Sequence, residues 1–451
     1  MQRDTIDFKN DNVGRLFRRL FLPTLVGSLS VSAMTAIDGI FVGHGIGSDG
    51  VAAVNLAVPF WMFFAGFGLM MGAGCSVAAA IHYSRKKLKV ARLNVTQALV
   101  FASIVTLAIC TLVMLLPGPT ARLLGASPRL EPMVSLYLLG IMPGFLFNVW
   151  EVIGLFVIRL DGSPRTAMWC NTICALANIL LDWIFVIVLD WGIFGAALAS
   201  TISLIIGGGI AIVYLLFFAR SLRLIPIKLS RKSLMLSLRN VGYHCRIGSS
   251  SILGEATLAL LVFAGNLTFM HYLGDDGVGA FGIACYYLPF LFMVGNSIAQ
   301  SAQPIISYDY GLRRFDRVRQ ALRLLVLTSF LCGLIVTAAF TFLPKWLVGL
   351  FLSLDSPAAR IAVDGFPLIS TAFIPFILNV AVVGYLQSIE RVRPATLFAL
   401  LRGFVLLLPS FLLLPDLLHI PGIWLALPAA ETATMLVILA YAFYRRRLRK
   451  A

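Results

Sequence analysis

The sequence predicts an all-α integral membrane protein of twelve transmembrane helices arranged in two pseudo-symmetric six-helix lobes. Three observations predict it. Hydrophobic residues make up 59% of the 451 residues and charged residues only 12%, against about 25% charged in ordinary soluble domains, so the apolar excess needs lipid rather than a larger core. Apolar runs of roughly 18–25 residues, long enough to cross the hydrocarbon as helices, recur about twelve times along the chain. The basic residues fall almost entirely on one side of the membrane once those runs are counted as spans.

The runs lie, in order, at 20–42, 52–81, 95–116, 134–158, 167–189, 196–218, 252–272, 278–298, 324–343, 365–386, 397–414 and 423–444. With both termini inside, the cytoplasmic segments carry 31 of the 36 Lys and Arg and the outer loops carry four, the last being Arg402 within span 11. One span missed or invented would scramble that asymmetry, which supports an even count. The net charge of +16 is therefore read as cytoplasmic anchoring, not as a nucleic-acid surface, which would need a soluble basic face. The first 19 residues are polar and the first apolar run is of spanning length, so it is expected to stay as helix 1 rather than be cleaved as a signal. The seven cysteines form no C-x-x-C pair and suggest neither a disulfide framework nor a zinc site.

The two halves match weakly but in order. Asp49-Gly50-Val51 answers Asp276-Gly277-Val278, Asn148-Val149 answers Asn379-Val380, and Gly192-Ile193 answers Gly422-Ile423. Their shared offset of 227 to 231 residues argues for duplication of a six-helix unit. Six is even, so both halves enter from the same side, and a parallel repeat places a substrate cavity between halves that rock to give alternating access. The expected division is an N-lobe over 1–219, a basic cytoplasmic linker over 220–246, and a C-lobe over 247–451. The loop after span 2, YSRKKLKVAR, lacks the acidic-basic signature of the major facilitator superfamily.

Charges inside spans are costly and usually face a cavity or a partner. Asp38, Glu151, Asp182, Glu255, Arg402 and Glu431 are the ones to explain. Asn178 and Asp182 are four apart and share a helix face, presenting an amide oxygen and a carboxylate that suit a hard monovalent cation or a shuttled proton. Asp38 completes that cluster if spans 1 and 5 pack side by side. A plain interhelical hydrogen bond is the competing reading for each acid. Phe60, Trp61, Met62, Phe63, Phe64, Met70, Met71, Phe145, Phe147, Tyr286, Tyr287 and Phe290 are candidates for a cavity wall, since aromatic faces attract organic cations and Met repacks around varied shapes. Lipid-facing or core packing is the alternative for any one of them.

TAIDGIFVGHGIG at span 1, NILLDWIFVIVLDWGIFGAALAS from Asn178, QPIISYDYG from Gln303 and GIWLALPAAE ending at Glu431 together resemble the multidrug and toxic-compound extrusion (MATE) family. The likeness runs from about Phe17 to Tyr444. It implies a V-shaped pair of lobes, a monomer in the bacterial inner membrane with both termini cytoplasmic, and antiport of amphiphilic cationic drugs against sodium or protons, with no other cofactor and no nucleic-acid partner. The family's N-lobe cation site falls on Asp38, Asn178, Asp182 and Ser200, where many members have Thr at the last position; sodium would sit at Asp38, Asn178 and Asp182. Pro23 resembles a proline at which helix 1 bends in some members. Glu255 matches a C-lobe acid of the sodium-driven branch, acting in coupling or on substrate charge. That branch's second C-lobe acid is Asn379 here, which puts a C-lobe sodium site in doubt. Asp309 stands where Asn is more usual and is expected to form a structural ion pair near Arg313 and Arg314.

The rival transport reading is a flippase for lipids or lipid-linked saccharides, which would show basic residues for pyrophosphate, whereas only Arg402 lies within a span. A membrane prenyltransferase would need aspartate-rich diphosphate motifs, yet the one adjacent acidic pair, Asp275-Asp276, sits in a short outer loop. No G-x-x-x-x-G-K-[ST] loop is present, so direct ATP power is not expected.

Overall fold

The computed structural model describes residues 6–227 and 230–448. Its helices run α1 Val13–Gly45, α2 Ser48–Ser84, α3 Leu88–Leu115, the short α4 Pro117–Leu123, α5 Glu131–Leu160, α6 Pro164–Asp182 and α7 Gly192–Val213. There follow α8 Arg231–Gly311, α9 Phe315–Phe342, the short α10 Pro344–Gly349, α11 Pro357–Ser370, α12 Phe373–Ser388, α13 Val392–Leu400 and α14 Leu407–Leu448. Wider π-helical turns extend α6 over Trp183–Val188, α7 over Tyr214–Phe218 and α13 over Leu401–Val405.

Nine continuous helical segments among the described residues are long and apolar enough to cross a membrane, and α11 with α12, bent by 50°, makes a tenth. Two of the nine are each two spans. At 81 residues α8 would be about 120 Å long if straight, four times the ~30 Å hydrocarbon thickness. It breaks at Gly274, whose φ of 63° and ψ of −154° suit a residue without Cβ, and the rings of Phe269 and Phe281 then stack at 4.6 Å, which only a chain that doubles back allows. The 54-residue segment from Val392 to Arg445 breaks likewise at His419 (φ 56°). Counting each broken segment as two gives twelve spans among the described residues. Many large apolar side chains, such as Ile335 at 69% and Leu412 at 69%, stay exposed, as lipid-facing positions do.

The chain divides into two compact units, one comprising residues up to Ile252 with Gln303–Val318, the other Leu253–Ala302 with Arg319 onward. The boundaries therefore interleave, where the sequence suggested a clean cut around a linker over 220–246. Helix α8 already starts at Arg231, capped by the Ser230 hydroxyl accepting from the Ser233 N–H. Its first turns pack on α2 and α3 through backbone approach of His244 to Gly74 and a hydrogen bond from Gln97 to Ser237 at 2.9 Å. Residues 303–311 return to the same unit, with Gln303 bonded to Ser76 at 3.1 Å and Gly311 seated on Ile81 and Ser84.

Within the first unit α5 is central. Gly140, Gly144 and Gly154 lie against Ala197, Thr201 and Ala211 of α7, the small-residue contact that lets two helix backbones come close in lipid. The Thr201 hydroxyl donates to the Gly140 carbonyl at 2.7 Å. Helix α1 runs without a break through Pro23 and packs along α6, with Gly27 against Met168 and Asn171. In the second unit Phe269, Phe281, Phe366 and Trp424 form an aromatic core.

Candidate cation-binding site

The packing of α1 along α6 brings Asp38 to Asp182. Their carboxyls face each other within hydrogen-bonding reach. Asn178 lies one turn before Asp182 on α6, and its side-chain amide donates to the Ser200 hydroxyl of α7 at 3.4 Å. Asp182, fully buried, is the last residue of α6 before the π-helical turn over Trp183–Val188, a local widening often found at functional sites. Gly45, at the end of α1, has no room for a Cβ against Val186 of that turn, so the end of α1 is held close to it.

The hydrogen-bond balance of this cluster is incomplete. Oδ1 of Asp38, both carboxyl oxygens of Asp182 and Oδ1 of Asn178 are buried with no donor. Two facing carboxylates cannot both stay ionised in a dry site without a proton or cation between them. Four hard oxygen acceptors in one place fit either, and nothing soft competes there. Tyr137 of α5, which sequence reasoning missed, is 2% exposed and lies within electrostatic range of both acids while its hydroxyl accepts from the Trp61 indole at 3.4 Å. No spacing rule marks it, because it comes from a third helix.

The second unit is built differently. Arg402, in the π-helical turn after α13, donates to Oε1 of Glu431 through Nε at 3.0 Å and through Nη2 at 2.7 Å. The Asn379 amide donates to the other Glu431 oxygen at 2.7 Å, and the Arg402 guanidinium lies 4.5 Å from the centre of the Phe376 ring. Asn379 is thus turned toward Glu431. Glu255 is buried on α8 at 8% exposure, two residues from Thr257, which abuts Gly403.

Two sequence expectations change. Asp309 is buried in an ion pair, but its partner is Arg317, whose Nε reaches both carboxyl oxygens at 2.9 and 3.0 Å; Arg314 instead donates to the Lys9 carbonyl. Arg317, in the first turn of α9, is the residue whose guanidinium meets the Asp309 carboxylate, while the Arg314 backbone N–H donates to the Asp309 carbonyl at 2.9 Å. Among the suggested cavity-wall residues, Phe64, Met71 and Phe145 are fully buried core, Phe64 and Phe145 stacking at 4.6 Å, because the close approach of α2 to α5 encloses them. Phe63, Tyr286 and Phe290 stay exposed.

Residues 23–184, and again 251–411, match the MatE family model, a second match at the offset of the internal repeat. The chain is 23% identical over 444 residues to the multidrug export protein MepA of Staphylococcus saprophyticus, covering 96% of this chain and 94% of that protein. To MepA of Staphylococcus aureus it is 22% identical over 453 residues, covering 98% and 96%. Its fold resembles an outward-facing multidrug resistance MATE family transporter of the MOP superfamily, with a TM-score of 0.90 at 19% identity over 100% of this chain and 99% of that one. A MOP superfamily transporter from Pyrococcus furiosus follows at a TM-score of 0.89 and 19% identity, covering 98% of each chain.

Proposed function

We propose the following function for this chain, which belongs to the MatE family: it is a cation-coupled antiporter that exports amphiphilic organic cations across a bacterial inner membrane by alternating access. The observation that carries the reading is the Asp38–Asp182 pair with the Asn178 oxygen beside it, all short of donors. A proton or sodium ion entering this cluster removes the repulsion between the two carboxyls. The same acids, when empty, make this cluster negative and favour a cationic drug. Ion and drug therefore exclude one another, and the exchange runs as export. Loading the cluster relaxes α1 against α6, with Pro23 as the point where α1 can bend, since it removes one backbone donor from the helix ladder. Export of multiple drugs is also what the names of the MepA relatives describe.

The flippase reading is not favoured. Arg402, the cation that a pyrophosphate would need within the membrane, is already engaged by Glu431. Dye efflux from proteoliposomes under separately imposed proton and sodium gradients tests the proposal. Efflux driven by at least one gradient, and lost in Asp182→Asn, is the expected result. Efflux indifferent to both gradients would overturn it.

A further inference from the structure

Glu151 on α5 is 5% exposed, and its Oε1 has no hydrogen-bond partner. Its carboxyl sits on the bare backbone of Gly207 in α7, where a Cβ would come within 2.6–2.7 Å of both oxygens. The titratable groups that face it are thiols, Cys174 in hydrogen-bonding contact and Cys170 one turn earlier on α6. Arg159, two turns further along α5, is placed toward Cys170. Helix α7 adds only Ser203 and Gly207, and α2 meets this stretch of α5 through Gly68 and Gly72 against Val152, Ile153 and Phe156. Arg159 is the one cation among these named neighbours, and its partner is Cys170 rather than the carboxyl. A lone buried carboxylate is among the costliest groups a protein can hold, so it is kept neutral or compensated. The Gly207 seat leaves no space for a hydrated ion, and a thiol is a poor ligand for a hard cation. A proton fits.

A short polar route joins this acid to the Asp38–Asp182 cluster. The Cys174 thiol touches both the Glu151 carboxyl and the Ser203 hydroxyl. Ser203 donates to the Ser200 carbonyl at 2.7 Å, and the Ser200 hydroxyl accepts from Asn178. Cys174 and Asp182 are eight residues apart on one helix, about 12 Å along its axis. We propose that Glu151 is a second proton-holding site of the first unit, coupled through Cys174, Ser203, Ser200 and Asn178 to the Asp38–Asp182 pair. The inference rests on the cation-coupled reading above and adds a titrating group to it. The step is a protonation alone: one O–H bond forms or breaks at the carboxyl, and the proton comes from or returns to water. Loss of that proton draws the Cys174 S–H toward the carboxylate, shifts its contact with Ser203, and so alters the bond from Ser203 to the backbone carbonyl of Ser200, the residue whose hydroxyl accepts from Asn178.

Infrared difference spectroscopy of the purified full-length protein in lipid, with ethidium as the cationic probe, tests this. Glu151→Gln should remove one protonated-carboxyl C=O band. Asp182→Asn, or ethidium binding, should shift that same band without removing it. Gly207→Ala, which changes no titratable group, should shift it by pressing a methyl group on the carboxyl, and keeps the test open should Glu151→Gln fold poorly. An unchanged set of carboxyl bands in Glu151→Gln, or in a poorly folding case an unshifted set in Gly207→Ala, would show that Glu151 holds no proton. A band lost in Glu151→Gln but insensitive to both Asp182→Asn and ethidium would overturn the coupling. Failure of the antiport reading shows separately, as undiminished gradient-driven efflux by Asp182→Asn.

Discussion

Arg402 and Glu431 form a buried ion pair with two hydrogen bonds from one guanidinium to one carboxylate oxygen, both residues 3% exposed or less. Asn379 completes the set from α12. Removing one member of a buried pair leaves an uncompensated charge and costs about 3–5 kcal/mol, whereas replacing both with apolar residues of similar volume is often neutral. Arg402→Met should therefore lower the thermal midpoint of the purified protein sharply, and the double change Arg402→Met with Glu431→Met should recover most of the loss. A single variant as stable as the parent would contradict the role of this pair as structure.

Asp38→Asn and Asp182→Asn should each abolish export while expression and membrane insertion stay near normal, because neutralising a buried acid eases insertion. Resistance of cells to a cationic dye, set beside the amount of protein in the membrane, is the measurement. Full resistance in either variant would remove the pair from the coupling site.

Glu255 should play a secondary part. The position that would assist it carries Asn379, and Asn379 is bonded to Glu431. Comparing Glu255→Gln with Asp182→Asn for the proton and sodium dependence of efflux decides the matter: the larger change belongs to Asp182→Asn, and a change confined to Glu255→Gln would reverse the assignment.

Binding of a cationic dye to the purified protein should weaken as pH falls or sodium rises, since a proton or ion at the Asp38–Asp182 pair cancels the charge that attracts the dye. The dependence should vanish in Asp182→Asn. Exporting a unit charge against an inside-negative potential costs about 2.3 kcal/mol per 100 mV, which one inward cation offsets at any voltage. Transport of a monovalent dye should thus carry no net current, and a measured current would exclude one-for-one exchange.

Arg317→Ala should destabilise the first unit, because it strips the buried Asp309 of its cation and frees the carbonyls of Phe8 and Asp11 that the same guanidinium holds. Faster protease cleavage near residues 8–11 is the expected readout, and unchanged cleavage would mean that the segment is held by other contacts.

The spans, their number and the repeat were legible in the residues because the cost of an unpaired backbone group in lipid forces each crossing into a long apolar helix, and length and hydropathy are properties of the linear chain. Asn178 and Asp182 could be placed on one face for the same kind of reason, a fixed helical period. The meeting of Asp38 with Asp182 could be stated only on the condition that spans 1 and 5 pack side by side, and the approach of Tyr137, the pairing of Arg402 with Glu431 and the seating of Glu151 against Cys174 and Gly207 were not legible at all. Each depends on which helices touch and how they are rotated, and that is set by small residues such as Gly27, Gly140 and Gly207 that allow close approach at particular points. The sequence by itself determined a twelve-span membrane protein with acids in its spans. Only the tertiary structure met the condition that α1 packs along α6 and decided which acid is paired with Arg402, because partnership across helices is fixed by packing geometry that no periodicity within one helix encodes.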